Sequence, residues 1–87
     1  MTGTRAILEE RGAVYGDFLA QAQITGDLKM VMHARLGWAK LSPDMEEALD
    51  MIAVKIARIL NGNPRHKDSW DDIAGYATLV ADRLERS

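Results

Sequence analysis

The chain has 87 residues, of which 47% are hydrophobic, and a formal net charge of −2 with both signs interspersed. This length supports one hydrophobic core, so we expect a single domain over residues 1–87. The balanced charge excludes the basic stripe through which proteins contact DNA phosphates, and the apolar fraction excludes a disordered tail. So small a chain buries a limited share of its surface, which favours association with a second copy of itself.

The sequence contains no cysteine. A disulfide framework and thiolate chemistry are therefore excluded, and a secreted mini-protein is disfavoured because such scaffolds need covalent cross-links. The first residues lack the apolar region of a signal peptide, and no stretch approaches the length of a membrane span. We therefore expect a cytoplasmic protein that is neither exported nor inserted into a membrane.

The first half of the chain predicts two helices. A short helix over 5–11 would be capped by Thr4 and closed by Gly12, and a longer one would start near Asp17 and end near Gly37. The apolar residues of the longer helix can share one broad face; they are Phe18, Ala22, Leu28, Val31, Met32 and Leu36. Gly26 lies inside this helix, where glycine costs about 1 kcal/mol relative to alanine.

The second half opens with a clear helix signal. Ser42 followed by Pro43 is a favourable start, and the acidic residues just after it complement the helix dipole. Apolar residues then recur at three- and four-residue spacing until the Asn-Gly-Asn-Pro of residues 61–64. This pattern predicts a helix over about 43–61.

A further helix is predicted over about 69–85. Asp68 is its expected N-cap, and Asp71 would reach back as a shortened capping box. The short connection makes the last two helices antiparallel neighbours, and no segment has the alternation of a strand. The expected fold is all-α: a small antiparallel bundle of three main helices plus a short N-terminal helix, in a dimer.

Four acidic residues are the strongest candidates for chemistry. Glu47 and Asp50 are three residues apart on one predicted helix, and Asp68 and Asp71 are three apart on the next. This spacing puts both members of a pair on one helical face, as coordination of a hard cation such as Mg²⁺ requires. The competing interpretation is that acids in first helical turns complement the dipole and form caps. Both pairs oppose the apolar stripes, so only a second subunit or the first-half helix could bring them together.

The two histidines, His33 and His66, are a full helix apart and have no cysteine near them. They are expected to be ordinary surface or helix-end residues, and no histidine or cysteine pair has the spacing of a zinc site.

Three residues near the middle of the last helix suggest a second contact surface. Gly75 stands inside a good helix, where glycine often allows another backbone to approach closely, and Tyr76 and Leu79 lie beside it. The alternative is a tolerated surface glycine. On the preceding helix, Lys55 and Arg58 flank the apolar face and are candidates for holding a phosphate group.

Longer motifs resemble a known group of proteins. Three motifs are similar to those of small phage and prophage proteins of unknown function. They are Lys55-x-x-Arg58-Ile59-Leu60-Asn61-Gly62, the run Lys67-Asp68-Ser69-Trp70-Asp71-Asp72-Ile73-Ala74-Gly75-Tyr76, and the opening Arg11-Gly12-x-x-Tyr15-Gly16-Asp17-Phe18. The resemblance covers most of the chain and implies the cytoplasm of a bacterial host. It implies no activity.

A more distant resemblance is to the MazG-like all-α nucleoside triphosphate pyrophosphohydrolases and to the phage nucleotide-modification-associated domain. In the former, two acidic pairs on neighbouring helices hold magnesium. The resemblance implies that Glu47, Asp50, Asp68 and Asp71 bind Mg²⁺, with Lys55, Arg58 and Tyr76 against the substrate.

Two hypotheses follow. The first is a MazG-like, magnesium-dependent nucleotide-binding or nucleotide-pyrophosphohydrolase domain, or a non-catalytic relative of one. The second is a small phage interaction protein that binds a host or phage protein, without catalysis, through Gly75, Tyr76 and Leu79.

Overall fold

The computed structural model describes residues 2–87, apart from the side chain of Thr2. Its elements are α1 (Thr2–Tyr15), α2 (Phe18–His33), a 3-10 helix (Leu36–Lys40), α3 (Pro43–Asn61) and α4 (Lys67–Arg86). No strand occurs between residues 2 and 87, so the all-α prediction is confirmed. None of these helices is long and apolar enough to cross a membrane.

α2 starts as predicted, but the predicted C-terminal ends of α1 and α2 are wrong. The Asp17 carboxylate accepts a hydrogen bond from the Ala20 amide at 3.0 Å, which is an N-cap. α2 ends at His33 because Arg35 is extended, and Gly37 lies within the 3-10 helix that follows. α1 is longer than the predicted 5–11. It runs past Gly12 and ends at Tyr15, and the next residue, Gly16, has a φ of 81°, the left-handed conformation that closes many helices.

The bounds predicted for α3 are confirmed, whereas the cap predicted for α4 is wrong. α4 begins at Lys67, with His66 in the N-cap position and no side-chain cap bond. Asp68 therefore lies inside the first turn. Asp71 does not reach back to a cap, because its carboxylate binds the Lys67 ammonium one turn earlier at 2.7 Å.

α3 is the central helix. It packs against α2 and α4, and α1 touches both α2 and α3, whereas α2 and α4 make no substantial contact with each other. Lys55 pairs with Asp72, and Asp44 pairs with Arg83. The later residue on α3 pairs with the earlier residue on α4, so these two helices are antiparallel as predicted. The bundle is open on the side between α2 and α4.

The broad apolar face predicted for the first half is only partly buried. Phe18 is 77% exposed, Val31 66% and Leu36 92%, whereas Leu28 and Met32 are half-buried. The exposed residues are turned away from α3, and Leu36 lies on the 3-10 helix beyond the end of α2. Only part of the predicted stripe therefore contributes to packing.

The buried apolar core consists of three alanines on α3: Ala48, Ala53 and Ala57. No large side chain among the described residues is fully buried. The accessible surface is 6420 Å², whereas a folded monomer of this mass exposes about 5,100 Å². The radius of gyration is 15.0 Å, against about 12 Å for a compact domain of this length. A single copy is therefore elongated and under-buried.

A bidentate ion pair joins the start of α3 to the end of α4. Nε and Nη2 of Arg83 donate to the two carboxylate oxygens of Asp44, and the bond from Nη2 is 2.9 Å long. Nη2 also donates to the Ser42 hydroxyl. Ser42 itself donates to Asp44 at 2.6 Å instead of capping the helix. Arg83, followed by Ser42, lowers the pKa of Asp44 from 3.8 to about 2.

We expect Arg83→Gln to weaken the fold at neutral pH and to alter its acid response. Because the pKa of Asp44 is depressed in the folded chain, this pair stabilises the protein above pH 3.8 and is lost as the pH falls toward about 2. The variant should have a lower Tm at pH 7 and a shallower loss of Tm between these two values. Thermal unfolding followed by circular dichroism measures both.

Arg86→Gln is the matched control, because Arg86 lies exposed in the same last turn. It should leave Tm and its acid dependence unchanged. Equal acid profiles for Arg83→Gln and the wild-type chain would show that the pair contributes nothing to stability.

Candidate functional site

The end of α3 holds the turn between α1 and α2. The Asn61 side-chain amide donates to the Tyr15 carbonyl at 2.9 Å and to the Asp17 carbonyl at 2.7 Å. Gly16, between these two acceptors, has a positive φ, and a Cβ there would overlap the Asn61 carbonyl. Only glycine allows Asn61 to lie this close to the turn.

Gly62 and Asn63, which follow Asn61, also contact the turn between α1 and α2. The Asn63 amide donates to the Val14 carbonyl at 2.6 Å, and a Cβ on Gly62 would overlap that same carbonyl. The backbones of residues 14–17 and 61–63 are therefore packed directly on each other. We call these two segments the loop junction.

The loop junction places Tyr15 among three basic side chains. The guanidinium carbon of Arg58 lies 4.5 Å from the centre of the Tyr15 ring, and that of Arg11 lies 5.7 Å from it. The His66 ring meets Tyr15 edge-on, with 5.6 Å between centroids. Cation–π attraction stabilises arginine on an aromatic face without neutralising its charge.

A cleft of about 520 Å³ opens beside this cluster, between α1 and the start of α2. Arg11, Tyr15 and Arg58 line it, together with Gln21, which is only 8% exposed. The helix-capping Asp17, whose carboxylate accepts the Ala20 amide, also lines it, and the apolar side chains of the wall are Ile7, Leu8 and Phe18. We call this the tyrosine–arginine cleft. Its size lies within the usual range of small-molecule sites.

The cleft carries positive charge that is not neutralised within the chain. Among residues 2–87, no carboxylate lies within ion-pair distance of Arg11 or Arg58. Nε of Arg58 is buried and makes no hydrogen bond, which is a costly state for a charged group. The cleft is therefore suited to an anion.

The four predicted metal ligands are not gathered in one protomer. Asp50 binds His33 at 2.7 Å, Asp71 binds Lys67, Asp68 lies 3.7 Å from His66, and Glu47 is exposed on α3. Within residues 2–87, no three histidine, cysteine, aspartate or glutamate side chains form a group that could hold a metal ion. Coordination by both acidic pairs would need a second subunit, and it stays a prediction.

The residues predicted to contact substrate lie in three different settings. Arg58 lines the cleft, whereas Lys55, one turn earlier on α3, is buried with its ammonium 3.1 Å from Asp72 of α4. Tyr76 is half-buried. The structure thus brings one of the three to the cleft.

The predicted interface residues lie partly on an open surface. Leu79 is 68% exposed, and a Cβ on Gly75 would meet no atom within 4 Å in the described chain. Any close approach at Gly75 would have to come from another molecule, so its role in an interface stays a prediction.

Comparison with known protein families assigns the chain to a family. A family model described as a domain of unknown function, DUF6378, matches residues 1–84. The chain belongs to the DUF6378 family. No curated protein and no solved structure matches it. The family match brings no activity with it, and both the phage origin and the MazG-like resemblance stay predictions.

Sequence reasoning identified Arg58 in this DUF6378 chain but missed Arg11, Tyr15 and Gln21 as its companions. The signal is present in the two Gly-containing segments, Tyr15-Gly16-Asp17 and Asn61-Gly62-Asn63, whose residues predict helix boundaries and carry part of the resemblance to phage proteins. Two such segments can meet backbone to backbone, but nothing in the periodicity indicates that they do.

Two glycine substitutions should have opposite effects on the stability of the DUF6378 chain. Gly62→Ala should cost about 1–3 kcal/mol, because its methyl group must push apart the backbones of the loop junction. Gly75→Ala should stabilise by about 0.5–1 kcal/mol, because it replaces a helical glycine where there is open space.

Chemical denaturation of the two variants measures both values. If Gly62→Ala were as stable as the wild-type chain, the close packing of the loop junction would be refuted. A destabilised Gly75→Ala would show that this glycine is in contact with another molecule.

Proposed function

We propose that this DUF6378 chain binds a small anionic molecule in the tyrosine–arginine cleft, and that the ligand is a nucleotide or a similar phosphorylated ring compound. The observation that carries the proposal is Arg58: its Nε is buried without a hydrogen-bond partner, on a guanidinium that has no carboxylate beside it within residues 2–87. An anion in the cleft would pair with the charge of this guanidinium.

The arrangement of charge favours phosphate or a comparable oxyanion. Arg58 and Arg11 approach the same Tyr15 ring, so both guanidinium groups border one site. A planar guanidinium offers paired N–H donors that match the oxygens of phosphate or carboxylate. Two such groups at one cleft favour a ligand with more than one negative charge.

The remainder of the cleft favours a ring attached to that anion. Phe18, at the edge of the cleft, is 77% exposed, and Ile7 and Leu8 add apolar surface. The Gln21 amide has both a donor and an acceptor, which suits the polar edge of a heterocycle. Base stacking on aromatic side chains is a common part of nucleotide recognition. The positive charge of the cleft therefore matches the phosphate of a nucleotide, and its apolar surface matches the base.

The catalytic form of the hypothesis needs residues that lie outside this cleft. Glu47 lies on the same side of α3 as Arg58 and Asp50 on the side facing α2, and both are roughly 12–17 Å from Arg58 along the helix axis. Asp68 and Asp71 lie on α4. Magnesium-dependent pyrophosphate release therefore stays a prediction, and the binding proposal does not depend on it.

Ligand-induced thermal shifts test the binding proposal. The wild-type chain is heated with nucleotides, nucleoside analogues lacking phosphate, and inorganic phosphate, each with and without Mg²⁺. A ligand present at about 100 times its dissociation constant should stabilise the fold by about 2.7 kcal/mol. Nucleotides should raise Tm and the phosphate-free analogues should not.

Arg58→Gln and Arg11→Gln should lose most of the nucleotide-induced shift, whereas Arg86→Gln on the exposed end of α4 should keep it. The ligand-induced shift is compared within each variant, since Arg58→Gln also lowers the starting Tm by removing a contact with Tyr15. If no nucleotide or other phosphorylated compound shifts the wild-type Tm, the proposal fails.

A second candidate is a non-catalytic interaction protein, and the exposed apolar surface favours it. Large side chains that are at least half exposed occur on every α-helix, among them Leu8, Leu19, Leu60 and Leu79. Exposed apolar side chains mark sites of protein association where they adjoin one another. This candidate is compatible with ligand binding, because the cleft occupies only one end of the molecule.

A further inference from the structure

The two longest helices both carry apolar residues at the spacing of a coiled coil. In α3 these residues are Met45, Leu49, Ile52, Ile56 and Ile59, and in α4 they are Trp70, Ile73, Ala77, Val80 and Leu84. The intervals alternate between three and four residues, which is the pattern of helices that pack along a shared seam. Both seam residues of each heptad normally pack into a facing helix.

Only half of the α4 seam is covered within one copy. Ile73 and Val80 are half-buried against α3, whereas Trp70, Ala77 and Leu84 are exposed. The three exposed residues are seven apart, so they form one column along the same side of the helix. Trp70 is 54% exposed and Leu84 48%, although the indole of Trp70 is held by a hydrogen bond to the Pro64 carbonyl at 2.8 Å.

The exposed column borders a groove of purely apolar side chains. A depression of about 250 Å³ lies between α3 and α4, and Ala77 and Val80 form its α4 wall. Its other walls come from Leu41, Met45, Leu49 and Ile52. No charged residue lines it. We call the groove and the column of Trp70, Ala77 and Leu84 together the α3–α4 face.

We infer that the α3–α4 face binds the same face of a second copy, so that α3 and α4 from two copies form a four-helix bundle. Each copy would supply two antiparallel helices with a half-covered seam, which is the usual composition of such bundles. A self-complementary patch on both partners is what a twofold dimer requires.

The amount of exposed surface is sufficient for an interface with a second copy. The excess over a typical folded monomer is about 1,300 Å², and a standard interface buries about 800 Å² on each partner. Among the described residues the buried apolar side chains of one copy are three alanines, so its larger apolar side chains are at most half-buried. A second copy of the chain is always present when the chain is made, whereas any other partner is not.

This face is separate from the tyrosine–arginine cleft. Leu49 and Ile56 lie on one side of α3, and Arg58 projects from the opposite side toward Tyr15. The inference therefore does not rest on the proposed ligand, and the two can fail independently.

Sedimentation of the wild-type chain and two variants tests the inference. Ala77→Glu adds a charge at the middle of the face on a residue that is already exposed, so it leaves no cavity in the protomer. Leu79→Glu is the matched control, because it adds the same charge two residues later on another side of α4. We expect a wild-type dimer, a dimer dissociation constant raised about tenfold or more in Ala77→Glu, and no change in Leu79→Glu.

A monomeric wild-type chain from micromolar to near-millimolar concentration would overturn the inference. Dissociation by Leu79→Glu with Ala77→Glu still dimeric would also overturn it, and would assign the interface to the surface around Gly75 instead.

Cross-linking keeps the test decisive if Ala77→Glu does not fold. The chain has no cysteine, so Ala77→Cys and Leu79→Cys each introduce one thiol. A short bismaleimide should join two copies of Ala77→Cys and leave Leu79→Cys monomeric on a denaturing gel, and the wild-type Tm should rise with protein concentration. Equal cross-linking of the two variants, or a Tm independent of concentration, would count against the α3–α4 dimer.

Discussion

The structure depends on α3, because it is the helix around which the other three are arranged. Its different sides have different residues at helical spacing. Ala53 and Ala57 share a side with Asp50, which binds His33 of α2. Ala48 shares a side with Lys55, which binds Asp72 of α4. Small side chains let the neighbouring helices approach closely, and one polar contact on each side joins α3 to that neighbour.

This division of α3 explains why the sequence predicted the second half of the chain better than the first. The start of α3 at Pro43 and its end at Asn61 follow from local signals, proline at the first position and the Asn-Gly pair at the end. Those signals need no tertiary contact. The end of α1, in contrast, is decided at Gly16 by its contact with Asn61, which is 45 residues later, so Gly12 was the wrong stop.

The site was predictable to a smaller extent for the same reason. Arg58 could be singled out as a basic residue beside an apolar stripe, but its contact with Tyr15 exists only because two glycine-containing loops pack on each other. Gln21 gave no signal, since a glutamine near the start of a helix is ordinary until the fold buries it. The acidic residues show the converse. Spacing puts Glu47 with Asp50 and Asp68 with Asp71, whereas within one protomer Asp50 pairs with His33 and Asp71 with Lys67.

The two surfaces on opposite sides of α3 have different physical requirements, and the sequence satisfies both on one helix. The cleft needs charge that remains un-neutralised, so Arg58 is placed on an aromatic ring, which holds the guanidinium without cancelling it. The α3–α4 face needs the absence of charge, and every residue that lines its groove is apolar. Because the helix has too few neighbours to bury that face, association can supply the missing burial without obstructing the cleft. A chain of this size can in this way keep a polar site open and still acquire a core.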